Sequence, residues 1–362
     1  MAGSIDVLIL GTGSFAARIA FDLAATAASP LSIAVGGRNA ERLSWLTIAG
    51  NARAVIFGRP VTFAARDIDL TSAEAAAALI ARDRPRVVVQ AASAQPAAVI
   101  ATKGDAWSRL VDEGGLSATA IFQALLSTRV ARAIAAEKAD CQLINCCFPD
   151  VVNSLIGAAG LPVACGVGNI AILANAFAGI LEPRRAERLK VLASYQTITP
   201  FRRQAASRGG PMPRVWLDGA EVPDVARRFA AVKITPEPAV EISGASGVPL
   251  IAAMAAGGSW TGHAPGPAGL PGGYPVAWQG GRLDLALPTG LGREEAVVWN
   301  ARFEAENGVA VGADRRVRYT GRLYERLREA APSLAEGFPI GELETVYTEM
   351  AALRARLHTT PA

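Results

Sequence analysis

Histidine and cysteine are scarce in this chain, two and four among 362 residues. His263 and His358 lie far apart. Cys141, Cys146, Cys147 and Cys165 form no C-x-x-C pair, so no metal site is expected. Cys146 and Cys147 adjoin in an apolar run, as reduced core residues of a cytoplasmic protein would. An excess of one charge is also lacking: 36 Lys and Arg against 32 Asp and Glu leave a net charge of +4. No run of Lys or Arg forms a nucleic-acid arm. No apolar run reaches the length of a membrane span; the Ala-rich stretch from Ser117 to Ala136 carries Gln123, Arg129 and Arg132. The start shows no charged n-region or cleavage site. These absences lead us to expect a cytoplasmic protein that acts on a small molecule, with no nucleic-acid or membrane partner.

What is present is concentrated at the start. Asp6-Val-Leu-Ile-Leu-Gly11-Thr-Gly13-Ser14-Phe15-Ala16 reads as an apolar strand, then G-x-G-x-x-A, then an apolar helix. In a dinucleotide-binding turn, Gly11 permits the tight bend and Gly13 lets a pyrophosphate approach the backbone. Ala16 lets the helix pack close to the strand. The helix N-terminus then turns amide N–H groups toward the phosphates. Ser14 and Phe15 open that helix and are counted with the cofactor-binding residues.

Strand and helix alternate from there. Strands are predicted at Val7–Leu10, Leu31–Val35, Thr62–Ala65, Arg86–Ser93 and Gln142–Phe148. Helices are predicted over 14–27, around Glu41–Leu46, after the S/T-x-x-E capping box Thr71–Glu74, and over 118–138. After residue 150 the rhythm changes. Helices are predicted over 151–159 and 168–180, then strands at Lys190–Thr197, Arg214–Leu217, Ala231–Ile234, Ala239–Ile242 and Leu283–Leu287. Dense Gly and Pro from Gly257 to Gly273 predict a long loop beside a site. A helix over 294–306, a hairpin of Val309–Val311 with Arg316–Tyr319, and two closing helices complete the chain. The predicted fold class is α/β. A doubly wound parallel Rossmann sheet occupies residues 1–150 and an α+β substrate and dimerisation domain 151–325. The helices of 326–362 are expected to pack back on the first domain.

The cofactor reading turns on the end of the second strand, where NAD-binding domains usually carry an acid for the ribose. Here Gly36-Gly37-Arg38-Asn39 stands, and a guanidinium suits a 2′-phosphate. NADP is therefore expected. Asp69 is a candidate for the adenine edge. Ala92 and Ser93, at a strand end, leave room for the pyrophosphate and nicotinamide ribose.

With these residues in hand, the chain resembles the saccharopine dehydrogenase/reductase-like oxidoreductases. The likeness rests on Gly11–Ala16, Gly37-Arg38-Asn39, Val87–Ser93 and Phe148-Pro-Asp-Val-Val-Asn153, over about residues 5–155. It implies a Rossmann domain joined to an α+β domain used for dimerisation, hence a homodimer. It also implies oxidation or reduction of a C–N bond between amino-acid-like partners.

Hydride transfer needs the nicotinamide beside an electrophilic carbon and a proton donor. His263, in the Gly/Pro-rich stretch, and Tyr274 are the acid/base candidates. Asp150 and Asn153 are candidates for the nicotinamide and substrate end, although Asp150 also suits a helix cap. Gly168-Asn169 opens another helix. Arg202 and Arg203, with Arg214, suit a substrate carboxylate. Tyr195 and Gln196 read as core or interface residues, and His358 as a tail residue. The leading expectation is an NADP-dependent oxidoreductase acting on an imine, amine or carbonyl of a small polar, carboxylate-bearing metabolite. One alternative is a sugar or polyol dehydrogenase of the glucose–fructose oxidoreductase type, although its E-K-P motif is replaced here by Ala94-Gln95-Pro96. The other is a non-catalytic NADP sensor or scaffold.

Overall fold

Continuous apolar runs build the centre of the fold. β1 (Val7–Leu10) and β4 (Val87–Gln90) are buried along their whole length, as parallel strands covered by helices on both faces must be. The computed structural model describes residues 4–95, 104–182 and 186–360, with no side-chain description for 236–240. Four further parallel strands join the sheet: β2 (Leu31–Gly37), β3 (Val61–Asp67), β5 (Gln142–Asn145) and β6 (Cys165–Gly166). Their order is β3-β2-β1-β4-β5-β6, the doubly wound order of a Rossmann sheet. Its crevice opens beyond the carboxyl ends of β1 and β4, where the winding reverses. β6 extends this sheet past residue 150, to Gly166; two residues are too short a strand to leave a periodic signal.

The covering helices are α1 (Ser14–Thr26), α2 (Ala40–Ile56), α3 (Ala73–Asp83), α4 (Ala106–Gly114), α5 (Ala120–Ala136) and α6 (Pro149–Ala158). α3 is capped one residue later than the capping box predicts. Ser72 Oγ accepts from Ala75 N at 3.1 Å, because Thr71 N is already engaged by Asp69 Oδ1 at 2.9 Å.

The second half adds three small antiparallel sheets. The first holds β7 (Leu189–Leu192), β8 (Arg214–Leu217) and β9 (Ala220–Glu221). With α7 (Ile170–Gly179) it has a core of its own, centred on stacked Phe177 and Phe229. α8 (Pro236–Ser246) and α9 (Val248–Ala256) follow. The second sheet holds β10 (Trp260–Pro265), β11 (Gly273–Gln279) and β12 (Arg282–Leu285), and shares its core with α1, β1 and β2. α10 (Arg293–Glu306) leads into the third, made of β13 (Val309–Val311), β14 (Arg316–Tyr319) and β15 (Phe338–Pro339). That sheet packs with α11 (Gly321–Ala330) and α12 (Leu343–His358) into the core of α3, α5 and α6. Glu344 on α12 takes hydrogen bonds from Arg129 and Arg132 of α5, both at 2.6 Å.

Several predicted strands differ. Residues 231–234 are not a strand, and 239–242 lie inside α8. A four-residue apolar run fits either structure, and Pro236 at the first turn favours the helix. The strand predicted from Lys190 ends at Leu192, and Tyr195–Arg202 winds into a 3-10 helix. The predicted loop at Gly257–Gly273 contains β10, where Gly262 makes room for the ring of Trp260. Among the described residues no helix is long and apolar enough to cross a membrane.

Candidate dinucleotide-binding site

The turn from β1 to α1 is built by its glycines. Gly11 has φ +130°, and a Cβ there would stand 3.0 Å from the carbonyl carbon of Ala91. Only glycine fits this close approach between the ends of β1 and β4. Gly13 is different: it has ordinary φ, and a Cβ on it would meet no atom within 4 Å. The space beside Gly13 is thus open to a ligand. Ser14 is exposed, Phe15 half-buried and Ala16 fully buried where α1 crosses the sheet. A phosphate fits this cradle, facing the first turn of α1.

At the end of β2 a side chain on Gly37 would meet Thr12 Cγ2 at 2.8 Å, so the strand end has no room for the ribose-binding acid. Arg38 follows, 70% exposed, its Nη1 3.8 Å from Asp69 Oδ1. This loose pair leaves the guanidinium free to turn onto an anion. Asn39 caps α2, accepting from Arg42 N at 2.8 Å, and Arg42 Nε reaches the Thr12 carbonyl at 3.1 Å. The backbone N–H of Thr71 holds the Asp69 carboxyl below its usual range.

The start of this turn and the end of β2 line one cavity of about 690 Å³, whose lining does not include Gly13, Ser14, Phe15 or Ala16; its size is well within that of small-molecule sites. Gly11, Arg38, Asn39, Asp69, Ala92 and Ser93 all face it. Its remaining wall, apart from Thr12 and Thr71, is largely apolar and includes Leu125, Leu126 and Tyr347 of α12, three residues that the sequence did not point to. Ser93 Oγ donates to Gln95 O at 2.5 Å, and Ala92 O accepts from Gln90 Nε2 at 2.7 Å. Pro96, the last residue of Ala94-Gln95-Pro96, lies outside the described residues.

A second polar centre lies just past β5. Asp150, in the first turn of α6, is 2% exposed. Its Oδ2 accepts from Asn169 Nδ2 at 2.9 Å and from Tyr195 N at 3.0 Å, while Oδ1 has no hydrogen-bond partner among the described residues. Burial pushes its carboxyl up to about 7. Two non-glycine residues beside it have positive φ, Phe148 at +46° and Asn169 at +45°. Such strain is retained where the surroundings hold it in place. The Phe148 ring meets Tyr195 edge-on at 4.8 Å. The Tyr195 hydroxyl lies 3.0 Å from Ser117 Oγ, which donates to Glu304 Oε2 at 2.8 Å. Burial raises both Glu304 and Tyr195. Glu304 escaped the sequence reading, yet Ala296, Asn300 and Phe303 share its buried helix face, a polar pair four residues apart.

Other sequence candidates fall elsewhere. His263 sits on β10, 9% exposed, and its Nε2 accepts from Val191 N at 3.0 Å. Burial pushes it down to about 3, so it stays neutral and holds β7 in place. It borders a different cavity. Tyr274 is fully buried, its hydroxyl donates to Pro271 O at 2.7 Å, and burial raises it. Neither His263 nor Tyr274 lines the cavity beside Gly11 and Arg38. Asn153 is fully buried; its amide donates to Gly266 O at 3.0 Å and its Oδ1 accepts from Asn145 Nδ2 at 2.8 Å, so it ties α6 to the loop after β10. Arg202 and Arg203 are exposed, next to Phe201 of the β7–β9 sheet's core, and neither lines the cavity beside Gly11. Arg214 is held by Glu221 and Glu295 at 2.8 and 2.7 Å. The carboxylate clamp expected from these arginines does not form. His358 is engaged rather than trailing, with Nδ1 2.6 Å from Asp105 Oδ2. Burial raises the thiols of Cys147 and Cys165 to about 12, as inert core cysteines require.

No family model matches the chain, and no curated protein matches it. Solved structures do. The lactate dehydrogenase of Cryptosporidium parvum, solved with lactic acid and nicotinamide adenine dinucleotide, is 14% identical with a TM-score of 0.53, over 97% of this chain and 99% of that one. The lactate dehydrogenase of Eimeria maxima, solved with NADH and oxamate, is 12% identical with a TM-score of 0.50, over 98% of both chains. The chain therefore shares the Rossmann-type fold of these structures, a six-stranded parallel sheet with additional antiparallel sheets.

Proposed function

We propose that the protein is a nicotinamide-dinucleotide oxidoreductase that prefers NADP and acts on a carbonyl or C–N carbon of a small polar metabolite. The observation that carries this reading is the cavity at the sheet's winding reversal. It joins Gly11 and Thr12 of the glycine turn to a strand end that bears Arg38 in place of an acid. Bound nicotinamide would supply or accept the hydride. The chain's own residues would do the rest. Backbone N–H groups of the β1–α1 turn hold the pyrophosphate, and Arg38 forks onto the 2′-phosphate. Asp150, raised to about 7 with one oxygen free, holds a proton near neutral pH at the carboxyl-end side of the sheet. The fold is shared with lactate dehydrogenases that carry NAD and act on a 2-hydroxy acid, which favours a carbonyl–hydroxyl pair. The saccharopine dehydrogenase-like resemblance of Gly11–Asn153 favours C–N chemistry.

Calorimetry with NADPH and NADH tests the reading. The unaltered chain should bind NADPH at least ~10-fold more tightly, and Arg38→Asp should remove that preference by weakening NADPH alone, roughly 10- to 100-fold for a lost charge-assisted pair. No heat with either dinucleotide would overturn it.

A further inference from the structure

The cavity's walls divide by chemistry. The glycine turn suits phosphates, and Arg38-Asn39 suit the substituted ribose. Most of the rest is apolar, with Thr12 and Thr71 the polar exceptions: Ile68 and Leu70 after β3, Leu125 and Leu126 on α5, and the ring of Tyr347 on α12. An adenine ring attached to that ribose needs such a wall, and aromatic side chains take bases by stacking. We propose that Tyr347 is the aromatic platform for the adenine, which makes the C-terminal helix part of the dinucleotide site. This rests on the dinucleotide reading above and adds to it a contact far from the Rossmann motif.

Three features fix the platform. The Tyr347 ring meets Phe122 of α5 edge-on, at 5.7 Å and 73°. One helical turn earlier, Glu344 is held by Arg129 and Arg132 of α5. Further along, the Arg354 guanidinium lies 4.1 Å from the Phe122 ring centre and donates to Gln95 Oε1 at 2.9 Å. The ring is half-buried, so one part packs on α5 and the rest faces the cavity. A side chain locked in this way before binding loses little entropy when a base lands on it.

The test uses adenosine 2′,5′-bisphosphate and NADPH, titrated calorimetrically into the full chain. Tyr347→Leu keeps an apolar body against Phe122 and removes the π-face. It should weaken both ligands by the same factor, roughly tenfold or more for a lost base–aromatic stack. Tyr347→Phe should stay within about twofold of the unaltered chain, because stacking needs only the ring. Thermal melting of each ligand-free variant checks that α12 remains docked. A folded Tyr347→Leu with unchanged affinity would overturn this proposal alone. So would a Tyr347→Phe as weak as Tyr347→Leu. Failure of the unaltered chain to bind either ligand would overturn the dinucleotide reading together with it.

Discussion

Asp150 shows how far a residue's neighbours can alter its part. In the sequence it reads first as a helix cap and, as the alternative, as a substrate contact. In the structure it caps nothing with its side chain; it receives Asn169 and Tyr195 while fully enclosed. Its folded carboxyl titrates near 7, above the ordinary 3.8, so the native state favours its neutral form. The stability it lends is complete below about pH 3.8 and is lost as pH rises through about 7. Three pH units correspond to about 4 kcal/mol at most. Asp150→Asn fixes the neutral state. Its urea-unfolding free energy, measured from pH 4 to 8, should gain on the unaltered protein as pH rises; parallel curves would show that Asp150 does not titrate as described. His263 works in the opposite sense. Its folded value is pushed down to about 3 from 6.5, so the stability of its neutral form is present above 6.5 and is lost as pH falls. The His263 misreading has a plain cause: a histidine among glycines and prolines looks like a loop residue until its strand is seen.

At the level of elements, the β1–α1 turn is where sequence and structure agree most closely. Gly11 and Gly13 look alike in the motif but differ physically. Gly11→Ala should destabilise the protein by on the order of 1–3 kcal/mol, because a positive φ and a backbone contact both oppose it. Gly13→Ala should leave stability within about 1 kcal/mol, yet weaken dinucleotide binding, since its Cβ would meet only ligand space. Denaturant melts and calorimetry on the two variants separate these effects. The parallel strands were legible because burial on both faces forces unbroken apolar runs. The hairpin Val309–Val311 with Arg316–Tyr319 was legible too, matching the observed strands. β10 was hidden by its own glycine and proline, and α8 by a strand-like run, Ala239–Ile242, too short to show a period. Glu304 and Tyr347 were illegible for another reason: their partners, Ser117 and Phe122, lie far away in sequence.

The whole molecule does not divide at the end of its Rossmann motif. Leu343, Val346, Met350 and Leu353 of α12 are buried in the same core as α3, α5 and α6. Removing residues 343–362 would expose that core and delete four buried side chains, about 6–12 kcal/mol of apolar burial, comparable to the stability of an ordinary protein. The truncated chain should lose its cooperative melt and aggregate; a sharp transition by circular dichroism would mean that the Rossmann half folds by itself. The β7–β9 sheet, with its separate aromatic core, is the part expected to exchange amide hydrogens independently.

One cavity joins Gly11 to Tyr347, and this fixes the timing of its assembly. Domains made on the ribosome fold from the N-terminal end first, but here the early glycine turn must wait for Tyr347, more than 330 residues later in the chain, before its pocket has all its sides. On the proposed reading, a nucleotide could be fully enclosed only after Tyr347 has been made, and so could not act as a folding aid for the earlier part of the chain.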